Sequence, residues 1–178
     1  MILREWEERD ARDLYEMWRH EQVLQYTGVP RVDSIDSAQQ LIQNFRSRFR
    51  EHRSGLVWAI ASRSDGRVIG ESSIFRLQEE HRKAEIGCTF GPSGWGRGYA
   101  REALTAVVKY LFNDLPFFRL NRLVAETDPR NASAIRLLES LGFRQEALLH
   151  DYYFERGQFV DQYIYTLLRR EQNTPVGQ

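Results

Sequence analysis

The stretch Phe90-Gly91-Pro92-Ser93-Gly94-Trp95-Gly96-Arg97-Gly98-Tyr99-Ala100-Arg101 decides how the rest of the chain is read. Gly91, Gly94, Gly96 and Gly98 fall between a run that reads as strand, Ala84 to Phe90, and a run that reads as helix, Gly98 to Phe112. Glycine carries no Cβ, so backbone N–H groups can approach a ligand closely there. A helix that starts directly behind such a turn presents unsatisfied N–H donors and a partial positive charge, an arrangement suited to phosphate oxygens. Arg97 and Arg101 add charge at the same place. The plain alternative is a tight loop whose glycines only turn the chain.

Two common phosphate loops fail on the residues themselves. Gly91 and Gly96 match the Walker spacing, but Arg97 and Gly98 stand where a lysine and a magnesium-binding hydroxyl are needed. A dinucleotide fingerprint starting at Gly96 requires glycine or alanine where the chain has Arg101.

Working outward, Ile2 to Trp6 reads as a strand and Arg9 to His20 as a helix, with Leu14, Tyr15, Met17 and Trp18 at helical spacing. After the turn-rich Thr27 to Pro30, Ser34 or Asp36 caps a second helix bearing Ala38, Leu41, Ile42, Phe45 and Phe49, closing over Arg46 to Arg53. Leu56 to Ala61, Val68 to Phe75 and Ala84 to Phe90 form an antiparallel meander, with Ser64 to Gly66 as a tight turn. In the helix behind the glycine turn, Ala100, Leu104, Val107, Val108 and Leu111 make an apolar stripe. Leu123 to Thr127 reads as strand, Asn131 to Leu141 as a helix ended by Gly142, and Phe143 to Leu149 and Ile164 to Leu168 as further strands.

With 178 residues the chain can bury a core without disulfides or metals, and one domain is expected over 1–170, followed by a polar tail over 171–178. Basic and acidic side chains balance at 25 each, which removes any global pull toward nucleic acid or an anionic membrane. Nearly all the basic residues are arginine, which suits planar contacts with phosphates, although genome composition produces the same bias. A single cysteine, Cys88, excludes an internal disulfide framework and fits a reducing, cytoplasmic setting. It alternates with neighbours in a way that points it into the core. The histidines His20, His52, His81 and His150 are scattered, so no metal is expected. No apolar run is long enough to span a membrane.

Trp95 to Ala100, W-G-R-G-Y-A, resembles the cofactor signature of the GNAT superfamily of acyltransferases: glutamine or arginine, two residues, glycine, one residue, then glycine or alanine. Gly98 and Ala100 take the small positions. Trp95 departs from the usual first residue in a way similar to the RimJ/RimL branch, which acetylates protein N-termini. The resemblance extends over Ala84 to Gly87, the Ala100 to Leu104 run, Asn131 with Leu141 to Phe143, and Gly157 with Asp161.

That resemblance implies an α/β fold, a mostly antiparallel central sheet flanked by helices, and an acetyl-CoA-dependent N-acetyltransferase. The acetyl group would pass to a primary amine by direct attack in a ternary complex. Backbone amides of Arg97, Gly98, Tyr99, Ala100 and Arg101 would surround the pyrophosphate of acetyl-CoA. The pantetheine arm would run along Ala84 to Phe90, with a backbone N–H at Thr89 or Phe90 polarising the thioester carbonyl. Asn131 matches the asparagine that contacts that arm, or else serves as a helix N-cap.

Glu85 matches the branch's acidic position and is the candidate general base, its alternative being a paired strand carboxylate. Leu138 stands where many relatives place a tyrosine acid, and Ala134 where the branch often places a serine. Ser133 lies one residue earlier, which rotates it by about 100° on a helix, so it is a candidate in second place beside Tyr152, Tyr153 or water. His150 reads as a surface or hydrogen-bonded residue.

Acceptor-lining candidates are Trp18, Tyr26, Phe45, Tyr152, Tyr153 and Phe154, and Asp161 would hold a cationic amine or form a turn. The acceptor, a peptide N-terminus or a small molecule such as a polyamine, is left open. Two other readings stand beside the enzyme: a catalytically silent coenzyme A-binding module, suggested by Leu138 and Ala134, and a nucleotide-binding protein using the glycine loop. The fold type is compatible with a homodimer.

Overall fold

Alternating and helical apolar patterns fold here into an α/β protein, for which the computed structural model describes residues 1–51, 55–114 and 119–172, with the backbone alone over 48–51. The chain divides into two compact units: Met1–Arg76 with Cys88–Leu104, and Leu77–Gly87 with Thr105–Gln178.

In the first unit β1 (Ile2–Arg4) pairs antiparallel with β2 (Leu56–Ala61), which pairs antiparallel with β3 (Val68–Gln78). The tight turn between β2 and β3 holds Gly66 at φ +72°, a left-handed backbone that glycine adopts freely. Helix α1 (Ala11–Trp18) buries Ala11, Leu14, Met17 and Trp18, a stripe at three- and four-residue spacing. Helix α3 (Ile35–Glu51) starts at the expected cap, where the Ser37 N–H donates to Ser34 Oγ at 3.0 Å. The Trp6, Leu14, Trp18 and Ile42 side chains form the centre of the buried cluster shared by α1 and α3. Between these helices lies a single turn, α2 (Glu21–Leu24), too short to leave a period in the sequence. Of the expected close of α3, residues 52–53 and the Phe49 side chain lie outside the described residues.

Strand β4 (Lys83–Phe90) gives its first part to the second unit and its last residues to the first. In the second unit β4 pairs parallel with β5 (Arg122–Thr127), Ala84 level with Leu123 and Glu85 with Val124. A parallel pair needs a crossover helix, and α4 (Tyr99–Lys109) lies on that connection, ending in a wider π turn at Tyr110–Asp114. Strand β5 pairs antiparallel with β7 (Gln158–Leu168), and β7 with β6 (Arg144–Glu155). The strand order is thus β1-β2-β3-β4 in the first unit and β4-β5-β7-β6 in the second, seven strands among the described residues.

Helix α5 (Ala132–Ser140) ends at Gly142, φ +87°. Strands β6 and β7 run much further toward each other than the sequence indicates, and they close through Arg156 and Gly157, both with positive φ, as a two-residue hairpin turn. The polar tail expected over 171–178 lies outside the described residues from 173 onward.

Candidate functional site

The glycine turn is built in three steps. Strand β4 ends at Phe90, whose buried ring lies against Gly70 and Gly94: a Cβ at either glycine would come within 2.6 and 2.9 Å of Phe90 Cδ1. A short 3₁₀ turn, Pro92–Gly94, then reverses the chain, with Pro92 at its first position. Finally Gly96 and Gly98 take φ values of +70° and +74°, and nothing lies within 4 Å of where their Cβ atoms would be. These two glycines are required by backbone conformation, and the space around them is open.

The first α4 hydrogen bond runs from the Glu102 N–H to Gly98 O at 3.1 Å. Tyr99 and Ala100 pack against the Ile60, Ile69, Phe90 and Ala103 cluster, while Arg97 and Arg101 are exposed. The residues expected at the pyrophosphate thus present a helix start flanked by two guanidinium groups, a donor set that fits an anion.

Trp95, the residue that departs from the signature, has a role that sequence reading missed. Its indole Nε1–H donates to Phe90 O at 2.7 Å, and its ring meets His20 edge-on at 5.9 Å. The side chain ties the exit of β4 to the start of the turn. The sequence signal is the tryptophan's place five residues after the strand end, which by itself does not reveal the bond.

The other expected site residues are placed as follows. Glu85 is buried, 7% exposed, on the part of β4 that pairs with β5. Asn131 is the N-cap of α5, its Oδ1 accepting from the Ala134 N–H at 3.1 Å. Ser133 is exposed, and its Oγ accepts a 3.4 Å hydrogen bond from Arg136. Leu138 is buried in the core. Trp18 is buried on α1 with its indole N–H unpartnered, and the Tyr26 hydroxyl accepts from Gln25 Nε2 at 3.0 Å.

Tyr152 is exposed and stacks edge-on against Tyr153, whose hydroxyl donates to Glu126 Oε2 at 2.7 Å. Asp161 accepts from the Asp151 N–H at 2.9 Å and lies 3.0 Å from His150 Nδ1. The backbone bond first, and then His150, hold its carboxyl below the usual range. The turn or ion-pair role set beside amine binding for Asp161 is therefore present in the structure.

Cys88 is half-buried against the Ile60 cluster, and burial, then the charge of Glu71, pushes its thiol up to about 12. A thiol so disfavoured as thiolate is a poor nucleophile. Among the described residues no group of three or more His, Cys, Asp or Glu side chains is placed to hold a metal ion.

The sequence-derived site omitted Glu71. It lies on β3, is 6% exposed, and its Oε2 has no hydrogen-bond partner. Burial raises its carboxyl from 4.5 to about 8.

Comparison with known proteins identifies the family. The acetyltransferase (GNAT) domain family matches residues 1–144. The uncharacterized N-acetyltransferase p20 of Bacillus licheniformis is 33% identical over 96% of this chain and 94% of its own length. Spermidine N-acetyltransferase from Vibrio cholerae, solved with CoA and spermine, superposes with a TM-score of 0.82 at 21% identity, covering 96% of each chain. Ribosomal-protein-S5-alanine acetyltransferase from Vibrio fischeri superposes with a TM-score of 0.80 at 16% identity, over 96% of this chain and 94% of that one. At those identities the two structures show a common fold. The family match and the p20 relative go further: the chain belongs to the GNAT acetyltransferases and is an acyl-CoA-dependent acetyltransferase.

Proposed function

We propose that this acetyltransferase moves the acetyl group of acetyl-CoA to a primary amine, on a peptide N-terminus or a small molecule, by direct attack within a ternary complex. The observation that carries this reading is the open glycine turn, Gly96 and Gly98 in left-handed conformations with unfilled space beside them, leading straight into α4. Backbone N–H groups from Arg97 to Arg101 bind the pyrophosphate, and the two arginines supply charge without a metal. Phe90 and Thr89 close the strand along which the pantetheine arm pairs, and a backbone N–H there polarises the thioester carbonyl.

Glu85 accepts a proton from the attacking nitrogen through a water, and Asn131 adds a contact to the pantetheine arm while it caps α5. Trp18, Tyr26, Tyr152 and Asp161 are the residues assigned to the acceptor, on their resemblance to the branch, with Ser133 in reserve as a proton donor. The dedicated acid is dispensable because a thiol of pKa about 8.5 is already a fair leaving group. The branch is that of the RimJ/RimL enzymes, supported by Trp95 in the signature. The protein works in the cytoplasm, a reading supported by its single cysteine, Cys88.

The test is free-thiol release from acetyl-CoA with alanine- and serine-initiated peptides, spermidine, aminoglycosides and amino acids. Turnover is expected with at least one class and should vanish in Gly98→Trp, while Glu85→Gln should fall by about 100-fold or more. Wild-type protein that binds coenzyme A yet acetylates none of these amines would favour the silent binding module. Failure of coenzyme A to protect the fold on heating would overturn the reading.

A further inference from the structure

The buried carboxyl of Glu71 has a defined place. It follows Gly70, where a Cβ would lie 2.8 Å from Thr89 O and 2.6 Å from Phe90 Cδ1, so β3 and β4 come together at the residues expected to hold the acyl carbonyl. Gly91 N–H donates to Ile69 O at 3.0 Å across the same gap. Gly70 faces the Phe90 ring; side chains alternate along a strand, so Glu71 points the other way. Its cross-strand partner is Ala59, which is fully buried in the Trp6, Leu14 and Trp18 cluster under α1 and α3.

A carboxyl on that apolar, helix-covered side is costly, and buried polar groups are nearly always hydrogen-bonded. Glu71 Oε2 is not, and Trp18 in the adjoining cluster keeps a buried indole N–H without a partner as well. Desolvation by burial drives the carboxyl's upward shift. Perturbed carboxyls of this kind concentrate at functional sites.

We propose that Glu71 receives the acceptor's ammonium group, holding it on the helix-covered side of β3 and β4 and taking one proton from it before the nitrogen attacks. The inference rests on the acetyl-transfer reading above and adds the residue that selects a cationic acceptor. The ammonium N–H bond breaks and its proton passes to the Glu71 carboxylate, leaving a neutral amine. The nitrogen lone pair then forms the N–C bond to the acetyl carbon, the C–S bond breaks, and its electron pair leaves on sulfur. The second proton departs the nitrogen through the water and Glu85 of the reading above and ends on that sulfur, while Glu71 returns the first to solvent. The products are the acetamide, coenzyme A and one released proton.

The test uses the whole chain as wild type, Glu71→Gln and Glu71→Asp. Acetyl-CoA binding, measured by calorimetry, reports on the acetyl-transfer reading alone, and Glu71→Gln should bind within a factor of about 2 of wild type. Turnover in Glu71→Gln should fall by about 100-fold, with part recovered in Glu71→Asp, and the ascending limb of the pH–rate profile should be lost.

An infrared difference spectrum makes the test independent of the natural acceptor. Wild type with coenzyme A bound should show a protonated-carboxyl stretch, absent in Glu71→Gln, which changes when methylamine is added. Wild-type rates in Glu71→Gln, or a carboxyl band that methylamine leaves unchanged, would overturn the proposal while the cofactor-binding result stood.

Discussion

A carboxyl group moved from water to an apolar face resists ionisation, and Glu71 is raised from 4.5 to about 8 for that reason. Because the folded value lies above the unfolded one, the unfolded state binds fewer protons between them, so stability falls as pH rises through this window and levels off above it. The slope is about 1.4 kcal/mol per pH unit. Asp128, held down by Arg130, and Glu146, held down by Thr166 and then Arg122, act in the opposite sense and at lower pH: their contribution is present above the ordinary carboxylate range and lost on acidification. Denaturant unfolding at about pH 5.5 and about pH 7.5 should therefore show wild type weakening with pH and Glu71→Gln staying level. Equal slopes in the two proteins would contradict the burial argument. Little of this was legible in the sequence, because a glutamate between Gly70 and Ser72 reads as the solvent-facing member of an alternating strand. Only the pairing with Ala59 shows that both faces are covered. The bond from Trp95 to Phe90 O was hidden for a related reason: it depends on the 3₁₀ turn between them.

Helix α5 carries the question of Asn131 in a form that mutation can separate. Its side chain caps the helix, and losing a cap costs about 1 kcal/mol, so Asn131→Ala should lower the melting temperature. Asp is an equally good cap. Asn131→Asp should therefore keep the stability yet weaken acetyl-CoA binding, since the contact proposed for the amide is lost and a negative charge is added. Unchanged affinity in Asn131→Asp would leave Asn131 with the capping role alone. Elements with clean periods, such as α1 and α3, and short strands bounded by turns, such as β2 and β5, were readable from the apolar pattern. The long hairpin was not. Tyr152, Phe154 and Phe159 remain exposed on it, and its register shifts between Leu149 and Tyr153, so the pattern loses its period over the stretch where the strand continues.

Across the whole molecule, the strand–glycine turn–helix succession and the matches around it placed the chain in its family, and the parallel β4–β5 pair with α4 on the connection is the architecture that succession implies. The acceptor was not legible, because the side chain proposed to receive it, Glu71, is buried by strand pairing and helix cover from distant parts of the sequence, and spacing along the chain does not record such encounters. The central claim is that the turn from Trp95 to Ala100 holds a pyrophosphate. The most direct measurement is calorimetric binding of acetyl-CoA against S-acetylpantetheine, which has the same thioester and arm but lacks the pyrophosphate, to the wild-type protein. The account predicts that acetyl-CoA binds more tightly by about 100-fold or more, with the advantage shrinking as salt is raised. Equal affinities for the two thioesters would contradict it.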